Sequence, residues 1–251
     1  MLKFFRKIRK DLLGKDMFSK YFLYAVGEIV LVVIGILIAL QIDNWNSEKK
    51  DLKAERMYLN SLNTEFSNNL NSLENTIKEN EYLIEALEKL GILFNPDTLK
   101  TISEREVALF LNPLGKEVVY FPSKGVMTDI ISSGNLKLIQ NNALRQKIAS
   151  FDNALERIEN QERVTSDLRS NIMQITSQNG SFSIMFAALD NRPKDKLKFR
   201  PKSNKQLFKS LELENNLVLY KRVTQTTNSF FYGSLKKDIE EILEMIEQEL
   251  N

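Results

Sequence analysis

Three sets of side chains have the types and spacing to do chemistry. The first is acidic: Glu240, Glu244 and Glu247 recur on one helical face, with Glu241 and Glu249 nearby. Paired carboxylates held across a cleft can hydrolyse a glycosidic bond. These repeat along one helix, opposite an apolar stripe, which is the pattern of a solvated surface. The second set is basic. Lys194, Lys196, Lys198, Arg200 and Lys202 alternate, so an extended segment would align their cations on one face, toward anionic lipid or an acidic partner. A solvated loop is the competing reading. The third set is Glu28, Gly35 and Ala39, whose offsets of 7 and 11 return to nearly the same helix direction. Gly35-x-x-x-Ala39 lets another membrane helix approach closely, and a carboxyl group at such a depth needs a partner. Snorkelling of Glu28 toward the nearer headgroups is the alternative.

What the chain lacks excludes more than these sets establish. It has no cysteine and no histidine. Zinc sites, Ser-His-Asp and Cys-His nucleophile systems and carboxylate-histidine di-iron sites each lose an essential part. There is no Gly-rich phosphate cradle and no calcium loop of the D-x-[DN]-x-[DN]-G kind. The expectation is a protein that is not an enzyme, with no catalytic residue, cofactor or metal site. Beyond residue 42, 28 Lys+Arg stand against 30 Asp+Glu. A nucleic-acid binder would carry a basic excess there.

The element that organises the chain is Tyr21 to Ile42. Ile29 to Leu40 is a run of twelve residues with no polar side chain. As a helix, residues 21–42 would be roughly 33 Å long at ~1.5 Å per residue, enough for a hydrocarbon layer of about 30 Å. The reading is a transmembrane helix. Residues 1–20 carry seven cations against Asp11 and Asp16, whereas the segment after the span mixes both signs. Cations stay on the cytoplasmic side, so the amino terminus is expected inside and residues 43–251 outside. Within the first segment Met1, Phe5, Ile8 and Leu12 fall at helical spacing, the pattern of an interfacial helix on anionic lipid. A disordered basic tail is the alternative. The expected division is a basic amphipathic segment at 1–20, a span at 21–42 and an exported domain at 43–251.

That domain reads as all-α. Leu59, Leu62, Phe66, Leu70, Leu73, Ile77, Ile84 and Leu87 make one apolar stripe over residues 46–90, in a helix able to continue directly from the span. Asn69 and Asn80 break its heptad, which favours a globular bundle over a coiled coil. A second helix is predicted over 142–177 and a third over 216–250, the latter with Tyr220, Val223, Phe230, Phe231, Leu235, Ile239, Ile242 and Ile246 inward. Short helices are expected at 103–112, opened by the Ser103/Glu106 capping box, and at 124–133, closed by Gly134. A brief β segment is read at 117–121. The fold expected is an elongated antiparallel helical bundle, with the second long helix returning toward the membrane and the 190–205 loop lying near the outer headgroups.

The texts F-F-R-K-I-R at 4–9, F-S-K-Y at 18–21, L-Y-A-V-G-E-I at 23–29, L-V-V-I-G-I-L-I-A-L-Q-I at 31–42 and N-W-N at 44–46 resemble a bacterial family of uncharacterised single-pass membrane proteins, known as a domain of unknown function. S-S-G-N-L-K-L-I-Q-N-N-A-L-R at 132–145 is similar to its middle region. The resemblance implies a single-pass protein of a Gram-negative envelope and supplies no activity, ligand or catalytic residue. Together these readings lead to an inner-membrane protein with a cytoplasmic amino terminus and a periplasmic helical domain. It would touch the lipid bilayer and a protein partner or a second copy of itself, without nucleic acid. The alternative is a tethered ligand-sensing or solute-binding bundle, its small molecule unknown.

Overall fold

The computed structural model describes residues 18–190 and 203–251, with side chains from Phe22 onward. The amphipathic stripe of Met1, Phe5, Ile8 and Leu12 lies outside the described residues, as do Lys194, Lys196, Lys198, Arg200 and Lys202. The chain divides into two compact units, Met1–Met57 and Tyr58–Asn251.

Helix α1 comprises Phe18–Ile92. No proline lies within it, and the long apolar run, with Gly27 and Gly35 as its small residues, continues the helical hydrogen-bond ladder. An 18-residue window in it has a mean hydropathy of 2.7, and none of that window is buried by the rest of the molecule. By length and composition it is the one helix among the described residues able to cross a membrane. Beyond that window the Lys49 ammonium sits 3.7 Å from the centroid of the Trp45 ring, one helical turn apart.

The second unit contains the rest of α1, then α2 (Pro96–Thr101), α3 (Glu104–Leu111), a 3₁₀ turn (Asn112–Gly115), α4 (Gly125–Ser132) and a second 3₁₀ turn (Asn135–Leu138). After these come α5 (Asn142–Asn179), α6 (Phe182–Leu189), a third 3₁₀ turn (Asn204–Lys209), α7 (Leu211–Thr226), a π-helical segment (Thr227–Tyr232) and α8 (Gly233–Leu250). Local chemistry starts and stops most of them. Asn95 accepts from the Asp97 and Thr98 amides with Pro96 at the first helical position, so the punctuation that ends α1 also opens α2. Ser103 and Glu106 form the predicted capping box. The Ser103 hydroxyl and then its amide hold the Glu106 carboxyl below the usual carboxylate range. Gly134, at φ 72°, takes the left-handed conformation that closes α4.

Apolar side chains fill two separate core clusters. One joins Leu59, Leu62, Phe66 and Leu73 of α1 to Leu144, Ile148, Phe151, Leu155 and Ile158 of α5 and to Tyr232, Leu235, Ile239, Ile242 and Ile246. The other joins Leu83, Leu87, Leu90 and Leu93 to Ile172 and Ile175 and to Leu213, Leu217 and Tyr220 of α7. Burying each such Leu or Ile contributes about 1.5–3 kcal/mol. The order along the chain gives the directions. Phe66 meets Phe151 edge to face with centroids 5.0 Å apart, Lys116 bridges to Glu79, and Glu117 accepts from Ser166. Helix α5 therefore runs the same way as this part of α1. Contacts from Asn141 to Glu249, Lys147 to Glu241 and Gln161 to Thr227 show that α7 and α8 run opposite to α5. Lys236 on Glu74 gives the same sense against α1.

The second long helix thus does not return alongside the first; the third returns against both. The reason is the segment 116–124, which crosses back along the bundle from the second cluster to the first. It was expected to include a brief β segment at 117–121, and no strand forms among the described residues. Its backbone groups are taken by side chains instead. Asn69 donates to the Ser123 carbonyl at 2.7 Å and accepts from the Ser123 amide at 2.8 Å, and Glu162 accepts from the Tyr120 amide at 2.8 Å. Glu65 then receives the Val126 and Met127 amides that open α4, at 2.8 and 3.0 Å.

At the far end of this unit from Tyr58, α5 turns into α6 at Gly180. A Cβ there would come within 2.8 Å of Asn204 Oδ1 and 2.9 Å of both the Thr176 carbonyl and Leu207. The buried Asn204 accepts from the Ser181 amide and donates to the Ser181 carbonyl, so it cannot readily withdraw. Gly180→Ala is expected to destabilise the unit by about 1–3 kcal/mol, measured as a lowered thermal midpoint by circular dichroism; an unchanged midpoint would show that the contact yields freely.

Candidate functional site

The two core clusters are separated by a layer of polar residues, and its members come from interruptions in otherwise regular apolar stripes. On α1, Thr76 and Asn80 are buried between Leu73 and Leu83. On α5, no apolar side chain faces inward between Ile158 and Leu168; Gln161, Glu162 and Thr165 occupy that stretch, and Arg169 follows directly after it. On the third long segment of the bundle the buried positions step by three or four residues, Leu213, Leu217, Tyr220, Thr224 and Thr227, and then by five to Tyr232. The π segment Thr227–Tyr232 lies at the longer step. Thr227 and Ser229 donate to the carbonyls of Val223 and Gln225, at 2.9 and 2.8 Å, which suits a locally widened helix. The extra residue rotates the helix beyond it, burying Tyr232 fully and leaving Phe230, expected inward, 60% exposed.

Glu162 is the centre of this layer. It is 8% exposed, and its Oε1 accepts from the Tyr232 hydroxyl at 2.6 Å and from the Tyr120 amide at 2.8 Å. Burial pushes its carboxyl above the ordinary carboxylate value, the two hydrogen bonds pull it back, and the nearby Glu159 and Glu117 carboxylates add to the rise. Burial also raises the phenols, Tyr220 to about 12 and Tyr120 and Tyr232 higher, with the Glu162 charge adding to the last two. The tyrosines are therefore neutral donors at any physiological pH. Tyr120 spends its own hydroxyl on the Asn69 carbonyl at 3.2 Å. Gln161 donates to Thr227 at 3.0 Å, and Arg169 donates to the carbonyls of Leu114 and Gly115, both at 2.9 Å. A cavity of about 10 Å³ remains among Asn80, Glu162, Thr165, Arg169, Tyr220 and Thr227, roughly the space of one water. A carboxylate so enclosed can accept protons and hold three elements together, but it has no room beside it for a substrate.

The larger concavity of this unit is elsewhere, at the end where α1 stops. Phe94, Pro96, Leu99, Phe208 and Leu211 form its apolar lining, Lys100, Lys205 and Lys209 supply cations, and the volume is about 620 Å³. Phe94 and Phe208 meet edge to face with centroids 5.3 Å apart.

The residues singled out by spacing are spread over the molecule. Glu28, Gly35 and Ala39 lie on α1 in the first unit, Gly35 and Ala39 exposed and Glu28 half-buried; a Cβ on Gly35 would meet nothing within 4 Å. The residues flanking the alternating cations are at the α3–α6 end of the second unit, where Arg105 donates to Ala188 and Ser203 donates to Glu104. The late carboxylates are surface groups: Glu241 binds Lys147 at 2.6 Å, Glu240 lies 3.8 Å from Lys236, and Glu249 accepts from Asn141. Among the described residues no group of three or more His, Cys, Asp or Glu is placed to hold a metal ion. Residue types and spacing alone do not single out Glu162, Tyr120 and Tyr232, although the gap between Ile158 and Leu168 on α5 marks where a polar residue must be buried.

The fold and its polar layer define an all-α bundle protein that carries one long, uncovered apolar helix near its amino terminus. The sequence profile of a family of unknown function, DUF6090, matches residues 28–198, more than half of the 251 residues, and the chain belongs to that family. Comparison with curated proteins and with solved structures finds no match.

The raised Glu162 carboxyl has a definite sign in stability. Its folded-state value lies above the unfolded one, so the folded state binds the proton more tightly and this group's contribution falls as pH rises through that window. Glu162→Gln removes that dependence. As pH rises above the ordinary carboxylate value the variant is expected to lose less thermal stability than the parent chain, with Tyr232→Phe costing about 1–3 kcal/mol by leaving the carboxylate under-solvated; identical pH profiles for Glu162→Gln and parent would remove Glu162 from the account.

Proposed function

We propose that this chain is a membrane-anchored helical scaffold or accessory protein of the bacterial cell envelope, acting through protein contacts and without catalytic chemistry. Residues 21–42 span the inner membrane, the basic amino terminus stays in the cytoplasm, and the helical domain stands in the periplasm. The observation that carries this reading is an apolar helix whose 18-residue window the molecule itself leaves wholly uncovered. Lipid is the medium that removes such a surface from water at no cost to the backbone. The helical domain has a filled core, and its surface keeps apolar side chains in water. Leu211 and Val218, seven residues apart on α7, are 70% and 60% exposed, and Phe121 on the crossing segment is 80% exposed. Such side chains, on a unit whose core has no need of them, support contact with a partner protein or a second copy of the chain. A ligand-binding bundle is the second reading, favoured by the 620 Å³ concavity at the end of α1.

Three measurements test the first reading together. The chain is expected to stay with membranes through carbonate washing, a tag on Asn251 to be reached by protease only from the side away from the cytosol, and a photocrosslinker at Val218 to capture a discrete protein in intact cells. Release by carbonate or a cytosolic tag would overturn the anchor and its orientation. Crosslinks spread over unrelated proteins, with none enriched, would overturn the scaffold.

A further inference from the structure

The groove at the end of α1 combines two recognition elements, an apolar lining and a set of cations. Its floor is apolar and largely withdrawn from water, Leu99 being 9% and Phe208 3% exposed. Its cations are Lys100 from α2 and Lys205 and Lys209 from the 3₁₀ turn before α7, with Glu214 as the single carboxylate among the lining residues. The lysines are not engaged in strong pairs. Lys100 bridges Asp97 across three residues with both side chains exposed, a contact that rearranges at little cost. Lys205 and Lys209 form no salt bridge within 4.0 Å among the described residues, although the Lys205 charge reaches the Glu106 carboxylate and helps to lower it. Ser210, which caps α7, lines the groove too, so the amino-terminal end of a sixteen-residue helix adds its partial positive charge on the same side. Leu211, 70% exposed, extends the apolar lining to the lip.

We propose that this groove binds a single-chain amphiphilic anion, a fatty-acid-like molecule whose tail lies on Phe94, Leu99, Phe208 and Leu211 and whose headgroup meets Lys205 and Lys209. The inference rests on the second of the two readings above. The charge pattern chooses an anion, and the continuous aromatic and aliphatic floor chooses a long apolar body over a free inorganic ion. The volume of about 620 Å³ is in the range of a site for one drug-sized molecule and leaves room for one acyl chain.

The test is photolabelling of the full chain, in nanodiscs of zwitterionic lipid, with a diazirine-bearing long-chain fatty acid, mapped by mass spectrometry. Labelling is expected on the peptides carrying Leu99 and Phe208. Decanoate should compete, while decyltrimethylammonium and inorganic phosphate should not. Lys205→Gln/Lys209→Gln should reduce groove labelling roughly fivefold or more, the loss of at least one charge-assisted contact. Labelling between Phe22 and Ile42 serves as the internal standard. Leu211→Glu, a surface change that places a carboxylate at the lip, should also reduce groove labelling with an unchanged thermal midpoint. Full labelling in both variants, labelling confined to residues 22–42, equal competition by the cationic amphiphile, or stronger competition by an acidic peptide than by decanoate would each overturn the proposal. Those results leave the membrane and crosslinking measurements untouched, so the scaffold reading stands or falls separately.

Discussion

An extended backbone running along a helical bundle has no ladder to receive its amides and carbonyls, and the second unit is organised around solving that problem for residues 116–124. Asn69 clasps Ser123 from both sides, Glu162 takes the Tyr120 amide, and Glu65 gathers the amides that begin α4. Asn69 and Glu162 sit where the apolar stripes of their helices would otherwise continue, and Glu65 lies beside the stripe, next to Phe66. A buried polar group without a partner costs about 1–3 kcal/mol, so helix and crossing segment each need the other. That mutual need lets the chain come back along its own length before starting α5. With α1 and α5 running the same way, the third long helix alone can be antiparallel to both. Lys147 on Glu241 and Lys236 on Glu74 lie along those antiparallel seams, partly exposed, and fix register more than they add stability.

Glu162 shows why a bundle would keep a carboxylate inside. It sits on α5, its Oε1 is shared between the crossing segment and the π segment, and Gln161 beside it reaches Thr227. One oxygen therefore sets the relative position of three elements that apolar contacts alone would allow to slide. The π segment is the complementary adjustment. By adding one residue between Thr227 and Tyr232 it brings the tyrosine hydroxyl onto that oxygen and turns the Leu235, Ile239, Ile242 and Ile246 face inward.

How much of this was legible in the residues depends on how local the interaction is. The Ser103/Glu106 capping box, Gly134 at the end of α4 and the Leu235, Ile239, Ile242 and Ile246 stripe of α8 are set within a few residues, and each appears where spacing predicts it. Asn69 and Asn80 were visible as breaks in a heptad, but a break does not name its partner. Ser123 lies 54 residues from Asn69 and Tyr232 lies 70 from Glu162, and no periodicity links them. A regular 3.6-residue period places Phe230 inward, but the helix widens at Thr227–Tyr232 and turns it out. The stretch 117–121 carries the β-branched and aromatic pattern of a strand, yet its partners are side chains, which a pattern of residue types does not distinguish from a neighbouring strand. The candidate groove escaped notice for a related reason, since Phe94, Leu99 and Phe208 meet only after the crossing has brought distant turns together.

The division of the core into two apolar clusters with a polar seam between them gives this unit a line of weakness as well as a register. Van der Waals contact is continuous within each cluster and thinned at Asn80, Thr165 and Thr227, so cooperativity need not extend from one end to the other. The half built on Leu90, Ile175, Leu207 and Leu217 and the half built on Phe66, Phe151 and Ile239 therefore share fewer apolar contacts with each other than each holds within itself, and a local opening begun in one is contained at the seam.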